Sequence, residues 1–324
     1  MARPQAEEVA RAAVLGAGTI GASWATLFLA RGLAVAVYDP SPDTEERVRA
    51  FIADAWPALE RRGLAANADP TLFTVHTDPA DAVRGAALVQ ESGPEQLASK
   101  RELFGRMEAG LEADTVVASS TSGLMPSELQ AGRASPQRYV VAHPFNPPHL
   151  IPLVEVVGGR ETDPAVVDWA LRFYTWLGKR TIRVRREVPG HVANRMQAAL
   201  YREAIHLVLE GVASVEDVDA AVASGPGLRW AIMGPHMQHH LAGGAGGLRH
   251  LLEHIGPGIQ SWWADLGRPE LTPEVIDRLV SAFDSGRARP MAELVEERDR
   301  LLLALLETIE SIRDMRSANR EEDA

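Results

Sequence analysis

The sequence predicts an α/β domain with a doubly wound sheet, followed by an all-helical domain. Short apolar runs of strand length alternate with helix-like segments through the first part of the chain, as is typical of a parallel sheet. The alternation stops near Val188-Pro189-Gly190, and from Asn194 onward the apolar residues recur only at helical spacing. We therefore expect one domain over residues 1–187 and a second over residues 188–324.

Composition excludes several classes of function. The chain has no cysteine, which excludes disulfides, thiol catalysis and cysteine metal sites. Its formal net charge of -11 argues against a nucleic-acid surface. The polar N-terminal segment shows no secretory signal, and no apolar run is long enough to cross a membrane. These features favour a cytoplasmic protein without a nucleic-acid or membrane partner.

The stretch from Ala12 to Asp39 has the order of one βαβ unit: an apolar strand, a glycine turn, an apolar helix, a second strand and an acid. The glycines follow the spacing G-x-G-x-x-G. The first makes a tight turn, the second lets a pyrophosphate approach, and the third lets helix and strand pack closely. The helix N-terminus offers unpaired N–H groups to the phosphates. The predicted cofactor-binding residues of the turn are Gly16, Gly18, Thr19, Ile20 and Gly21.

Asp39 indicates which dinucleotide the turn binds. It follows the turn by roughly 20 residues, where an acid accepts hydrogen bonds from the adenosine ribose. A carboxylate there would repel a 2′-phosphate. In a chain with 27 glycines a glycine triplet alone is also compatible with a flexible turn, but the full order of elements favours dinucleotide binding on a Rossmann-type sheet. The predicted cofactor is therefore NAD(H), in preference to NADP(H).

The remaining elements continue both patterns. In the first domain, further strands are predicted at 72–75, 87–91, 115–119, 139–142, 153–157 and 181–184, with helices at 41–62, 95–111 and 164–177. In the second domain, helices are predicted at 193–211, 215–223, 273–283 and 291–316, followed by a polar tail at 317–324.

Candidate catalytic residues follow two of the predicted strands. His143 ends the strand at 139–142, and open α/β sheets bind ligands at the carboxyl ends of their strands. A histidine there can exchange a proton with a substrate hydroxyl, and Glu155 can accept a bond from its ring and stabilise the protonated form. Alone, each fits a structural histidine in a proline-rich turn or a surface glutamate. Together with Ser120, Thr121 and Ser122, which follow another predicted strand, and with Asn194, they favour a catalytic site.

These segments resemble the 3-hydroxyacyl-CoA dehydrogenase family. The resemblance runs through GAGTIG, SSTSGL, HPFNPPHLIPLVEVV and GHVANR and covers nearly the whole chain. It implies that Glu95 and Lys100 lie near the nicotinamide and ribose side of the cofactor. Ser120 departs from the family, which usually has asparagine there, and we expect the change to be tolerated because Ser122 remains. The family's catalytic and substrate-facing residues fall on Ser122, His143, Glu155 and Asn194.

The resemblance also implies an activity and an assembly. Members interconvert 3-hydroxy and 3-oxo compounds with NAD(H) and form homodimers through the helical domain. Within the family, the chain is most similar to the subgroup of lambda-crystallin (L-gulonate 3-dehydrogenase) and L-carnitine dehydrogenase. A 3-hydroxy acid, an aromatic polyketide 3-oxo intermediate reduced by a ketoreductase, and a short acyl-CoA all stay open as substrates, as does a crystallin-like structural role. CoA is disfavoured because Ser41 to Gly63 holds no lysine and its arginines are balanced by acids.

Two clusters in the second domain are weaker candidates. Arg229 can hold a substrate carboxylate, and Trp230 can face a quaternary ammonium or an aromatic ring, although a buried packing pair explains them equally well. His236, His239 and His240 have helical spacing. Without cysteine or a nearby acid, they fit the polar lining of a dimer contact or pocket mouth better than a metal site. We therefore predict no metal.

Overall fold

The structure is a computed structural model that describes residues 3–284 and 289–322, with side chains described as far as Arg313 in the last helix. The first two residues of the polar N-terminal segment and the last two of the predicted polar tail lie outside the described residues. The chain divides between Arg195 and Met196 into two compact units. Over the described ranges, no helix is long and apolar enough to span a membrane.

The first unit is built on one eight-stranded sheet. Its strands are β1 Arg11–Leu15, β2 Ala34–Tyr38, β3 Phe73–His76, β4 Leu88–Glu91, β5 Val116–Ser119, β6 Tyr139–Pro144, β7 Leu153–Gly158 and β8 Arg180–Val184. Their spatial order is β3-β2-β1-β4-β5-β6-β7-β8. The six inner strands are mostly apolar and buried, as expected when helices cover both faces of a sheet, whereas the edge strands β3 and β8 are partly exposed.

Six helices cover this sheet in two layers. One layer packs Trp24, Phe28 and Phe173 into the apolar core on one face, and the other packs Phe104 and Met107 into the core on the opposite face. The predicted doubly wound α/β fold is thereby confirmed. The helices are α1 Thr19–Ala30, α2 Thr44–Arg62, α3 Pro79–Val83, α4 Leu97–Met107, α5 Pro126–Gln130 and α6 Pro164–Trp176.

One strand departs from the predicted parallel sheet. β7 runs antiparallel to β6, whereas every other neighbouring pair is parallel. The reason is the connection between the two strands, residues 145–152, because a parallel return needs a crossover of about a dozen residues or more. This reversal places His143 directly opposite Glu155 in the register of the two strands.

The second unit, over its described residues, is helical throughout, as predicted. Four short helices at 226–265 were not predicted, because glycine and proline interrupt the periodicity there. The last helix extends past the predicted end at Arg316, through a segment that includes the good helix formers Ala318, Arg320, Glu321 and Glu322. The helices are α7 Ala193–Leu209, whose first three residues belong to the first unit, α8 Val215–Ala223, α9 Pro226–Trp230, α10 Pro235–Ala242, α11 Gly247–His254, α12 Gly256–Asp265, α13 Pro273–Asp284 and α14 Met291–Glu322.

Candidate active site

The glycine turn between β1 and α1 has the geometry of a dinucleotide turn. Gly16 has a φ of 93°, which favours glycine, and a Cβ there would lie 2.7 Å from the Ser92 backbone. A Cβ on Gly21 would lie 1.8 Å from the Gly16 carbonyl oxygen, so helix and strand approach too closely for any larger residue. A Cβ on Gly18 would meet nothing within 4 Å. Open space therefore lies at the start of α1, where Thr19 is exposed.

Asp39 closes this turn from the end of β2. Its Oδ2 accepts a hydrogen bond from the Ala17 N–H at 2.8 Å, and its Oδ1 accepts one from the Ser41 N–H at 3.0 Å. Arg47 lies 3.5 Å from Oδ1. The carboxylate is 17% exposed and lines an open cleft of about 540 Å³. With the first two glycines of the turn in the same cleft, these residues fit the adenosine half of a dinucleotide.

His143 and Glu155 form a buried pair across β6 and β7. The Nδ1 of His143 lies 2.8 Å from Oε2 of Glu155, and the two side chains are 4% and 0% exposed. The second oxygen, Oε1, accepts the N–H groups of Val192 and Ala193 at 2.9 and 3.0 Å, at the start of α7. Burial raises the pKa of Glu155, but the hydrogen bonds from His143, Ala193 and Val192 outweigh it and bring the pKa below its ordinary value.

Asn194 and Ser122 lie beside this pair. The Asn194 Nδ2 donates to the Ser122 carbonyl oxygen at 3.1 Å and lies 3.5 Å from Nε2 of His143. Ser122 is exposed on the loop that follows β5. The structure therefore brings together the four residues predicted from three separate segments of the chain, and Asn194 marks the side of the imidazole that faces away from Glu155.

Glu95 holds the loop that carries Ser122. Its Oε1 accepts hydrogen bonds from the Thr121 hydroxyl at 2.5 Å and from the N–H groups of Ser122 and Gly123 at 2.8 and 3.1 Å. Its other oxygen lies 3.6 Å from Lys100. Half-exposed itself, Glu95 thus connects the loop after β5 with the start of α4.

Lys100 lies below this surface and is only 2% exposed. Its ammonium donates to Glu91 at 2.7 Å and to the Gly93 carbonyl oxygen at 3.0 Å. Burial raises the pKa of Glu91, and the opposing effect of Lys100, with hydrogen bonds from Ser119 and Gly93, does not cancel it. The ammonium is therefore engaged by protein groups and leaves little surface for a ligand.

Ser120, the departure from the family motif, belongs to a polar network under the same loop. Its hydroxyl accepts a hydrogen bond from Gln90 at 2.8 Å and lies 2.9 Å from the Ser92 hydroxyl. Gln90 in turn accepts a hydrogen bond from Tyr174. The serine thus satisfies polar groups under the loop on which Ser122 is exposed.

Two residues that the sequence analysis did not single out also contact the pair. Phe145 packs edge-on against His143 with ring centroids 5.0 Å apart, and the His191 ring lies 5.3 Å away. Both belong to motifs that carry the family resemblance, HPFNPP and GHVANR. Their position in those motifs is the only feature of the sequence that could have marked them as site residues. Their role as neighbours of His143 depends on the tertiary fold.

The weaker candidates lie in the second unit. Arg229 and Trp230 end α9 and are exposed within that unit, with Trp230 at 41%. His239 and His240 are engaged locally, by the Pro235 carbonyl oxygen at 2.7 Å and the Leu248 N–H at 3.2 Å. Where the structure describes the chain, no three histidine or acidic side chains form a group that could hold a metal.

Comparison with known proteins decides the family. Residues 11–188 match the NAD binding domain of 3-hydroxyacyl-CoA dehydrogenase, and residues 190–291 match the C-terminal domain of 3-hydroxyacyl-CoA dehydrogenase. The chain belongs to the 3-hydroxyacyl-CoA dehydrogenase family. This confirms the family predicted from the motifs, and with it an NAD-dependent dehydrogenase that acts on CH–OH groups.

Individual members of the family are similar over nearly the full chain. L-Carnitine dehydrogenase of Streptomyces griseus is 51% identical over 93% of this chain and 90% of its own length. L-Carnitine dehydrogenase of Nocardiopsis dassonvillei is 48% identical over 98% and 97%. Among solved structures, the NAD+-dependent dismutase 5-formyl-3-hydroxy-2-methylpyridine 4-carboxylic acid 5-dehydrogenase is 33% identical, with a TM-score of 0.82 over 93% of this chain and 99% of that one.

Proposed function

We propose that this dehydrogenase interconverts a 3-hydroxy acid and its 3-oxo compound, with His143 as the proton-transfer residue and L-carnitine as the preferred substrate. The observation that carries the proposal is the buried contact of 2.8 Å between His143 and Glu155. L-Carnitine is favoured because dehydrogenases of that name are 43 to 51% identical to this chain over at least 92% of its length.

The hydrogen bonds of the pair support one tautomer of His143. Ionised Glu155 can only accept, so Nδ1 carries the hydrogen and Nε2 keeps a lone pair. Bound NAD supplies the hydride acceptor in oxidation and the donor in reduction. In oxidation, His143 Nε2 takes the proton of the substrate hydroxyl, and in reduction it returns that proton to the oxygen. Glu155 keeps the ring oriented and stabilises its protonated form.

Ser122 and Asn194 hold the reacting oxygen in this scheme. The Asn194 amide lies on the Nε2 side of His143, where the hydroxyl or carbonyl oxygen must sit, and it also donates to the Ser122 carbonyl oxygen. The Asn194 amide can donate to that oxygen, and the Ser122 hydroxyl can donate or accept. Donors directed at an oxygen that gains negative charge lower the barrier to reduction. Glu95 keeps Ser122 in place through the loop N–H groups.

The two charged ends of the substrate need binding groups other than the four catalytic residues. L-Carnitine carries a carboxylate and a quaternary ammonium, which match the chemistry of Arg229 and Trp230 respectively. Their exposure within the second unit leaves both side chains accessible. We therefore keep them as the proposed substrate residues and place no metal in the site.

A panel of substrates tests the proposed function. NAD⁺ reduction is measured with L-carnitine, L-gulonate and a short 3-hydroxyacyl-CoA, and NADH oxidation with an aromatic polyketide 3-oxo acid. We expect kcat/KM to be highest for L-carnitine. A higher value for the acyl-CoA would replace the substrate assignment but retain the chemistry. No turnover with any member of the panel would overturn the proposal.

The proposed assembly is a homodimer in the cytoplasm, formed through a substrate and dimerisation domain at residues 188–324. The second unit exposes large apolar side chains on several helices, which water-exposed surfaces rarely carry in such number. Examples are Met196, Tyr201, Trp262, Trp263, Phe283 and Leu301. Sedimentation equilibrium at micromolar concentration should give twice the mass of the 35.1 kDa chain, and a single-chain mass would contradict the proposal.

A further inference from the structure

His191 lies beside the candidate catalytic pair, yet the proposed chemistry assigns it no role. Its side chain is buried, with 0% exposure. Within the described ranges it is the one non-glycine residue with a positive φ, at 50°. Histidine is among the few residues that adopt this left-handed backbone with any frequency. The strained conformation sits next to Val192 and Ala193, whose N–H groups bind Glu155.

The contacts of its ring favour the neutral form of His191. Nε2 lies 3.2 Å from the Thr121 carbonyl oxygen, which can only accept, so Nε2 carries the hydrogen. No described residue gives Nδ1 a hydrogen-bond partner. Burial lowers the pKa of His191 and nearby His143 lowers it further, and the Thr121 bond, Glu155 and Glu95 offset this only in part. Over the described residues, His143, Glu155 and Glu95 are the titratable groups that face the ring.

His191 connects the two segments that surround the pair. Through Thr121 it is bound to the loop that carries Ser122. Through its own backbone it sets the turn into α7, where two successive N–H groups point at Oε1 of Glu155. A shift of this turn would loosen those two hydrogen bonds, and a carboxylate with fewer donors binds a proton more tightly.

We propose that His191 is a positioning residue: its neutral imidazole, anchored on the Thr121 carbonyl, fixes the turn whose N–H groups hold Glu155 in the orientation that aligns His143. The inference rests on the proposed roles of His143 and Glu155. It assigns no contact between His191 and the substrate. Its consequence is that the pH dependence of catalysis changes when the imidazole is removed.

Three substitutions test this role. His191→Phe keeps a ring but removes the hydrogen bond, and His191→Gly removes the side chain while suiting the positive φ. In both, the acid limb of the pH profile of kcat/KM for L-carnitine oxidation should move to higher pH by about half a unit or more, because the pair binds its proton more tightly. His191→Gln can donate to the Thr121 carbonyl again and should move the limb back toward the wild-type position.

A matched control removes another buried, hydrogen-bonded imidazole. His149 is 7% exposed and bonded to Ser23, on the α1 side of the sheet, so His149→Phe should leave the acid limb in place. An unmoved limb in folded His191→Gly, with wild-type enzyme active, would overturn the inference and leave the proposed function intact. Absence of turnover in the wild type would instead overturn the proposed function. If His191→Phe does not fold, His191→Gly decides alone.

Discussion

The cofactor turn and the His143–Glu155 pair are built in different ways. The turn comes from one contiguous stretch, residues 12–39, in which Gly16 and Gly21 leave no room for a Cβ and Gly18 borders open space. The pair comes from two strands and the start of α7, and it depends on the antiparallel register of β6 and β7. Local steric demands can be read from spacing, whereas a cross-strand pair depends on the direction in which the strands run.

The largest expected effect comes from breaking the pair at His143. His143→Gln removes the group that exchanges the substrate proton, so kcat for L-carnitine should fall about 10²- to 10⁴-fold. The affinity for NADH, measured by fluorescence titration, should stay within about twofold, because the turn is built separately. His76→Gln on edge strand β3 is the control. Near-wild-type turnover by the His143 variant would exclude the proposed mechanism.

A second change breaks the same pair but keeps its shape. In Glu155→Gln the side-chain amide can donate to Nδ1 of His143, which then holds its hydrogen on Nε2 and cannot accept the substrate proton. We expect kcat to fall about 10²-fold or more, since the wrong tautomer is highly damaging in comparable triads. NADH affinity should again be unchanged. A loss smaller than about threefold would show that Glu155 does not set the tautomer.

Glu155 also gives a pH dependence of stability. Its pKa is lowered from an ordinary value near 4.5, so the folded state binds this proton less readily than the unfolded chain. The stabilisation is fully present above that ordinary value and is lost as pH falls through the lower folded pKa. Thermal unfolding between pH 6 and pH 3 should therefore show a shallower acid decline in Glu155→Gln. Parallel curves for the two proteins would contradict this expectation.

Most of the fold could be predicted from the sequence, because apolar runs and helical spacing are local. The direction of β7 could not, since it follows from the length of segment 145–152 rather than from the strand itself. The short helices at 226–265 escaped prediction because glycine and proline end each one after a few turns or fewer. Periodicity needs a longer window than these segments provide.

The residues of the candidate site also differ in whether the sequence alone could predict them. The turn glycines and Asp39 lie at positions that spacing alone suggested. The burial of Lys100 was not accessible to sequence reasoning, because it depends on Glu91, a strand residue whose buried carboxylate needs a cation. His191 was also inaccessible, because its importance comes from a positive φ and a contact with Thr121 on another segment.

A smaller effect is expected from the third glycine of the turn. In Gly21→Ala the new Cβ would lie 1.8 Å from the Gly16 carbonyl oxygen, so α1 must move away from β1. Overpacking of this kind costs about 1 to 3 kcal/mol, and the displaced turn should also bind NADH more weakly. Differential scanning fluorimetry and NADH titration measure the two effects. Gly258→Ala within α12, where a Cβ meets nothing within 4 Å, controls for the replacement of a helical glycine.

The substitution with the smallest expected effect tests the preference for NAD(H) over NADP(H). Asp39→Ala removes the proposed acceptor for the ribose hydroxyls, and NADH affinity should fall about tenfold, as expected for hydrogen bonds to a charged group. It also removes the carboxylate that lies 3.5 Å from Arg47, and the guanidinium, which keeps its ion pair with Asp43 at 3.1 Å, can then attract a 2′-phosphate. NADPH affinity should therefore fall less than NADH affinity, or rise. Arg47→Ala in the same background should abolish any gain for NADPH. Equal losses for both cofactors would show that Asp39 supports the turn through Ala17 and does not choose between them.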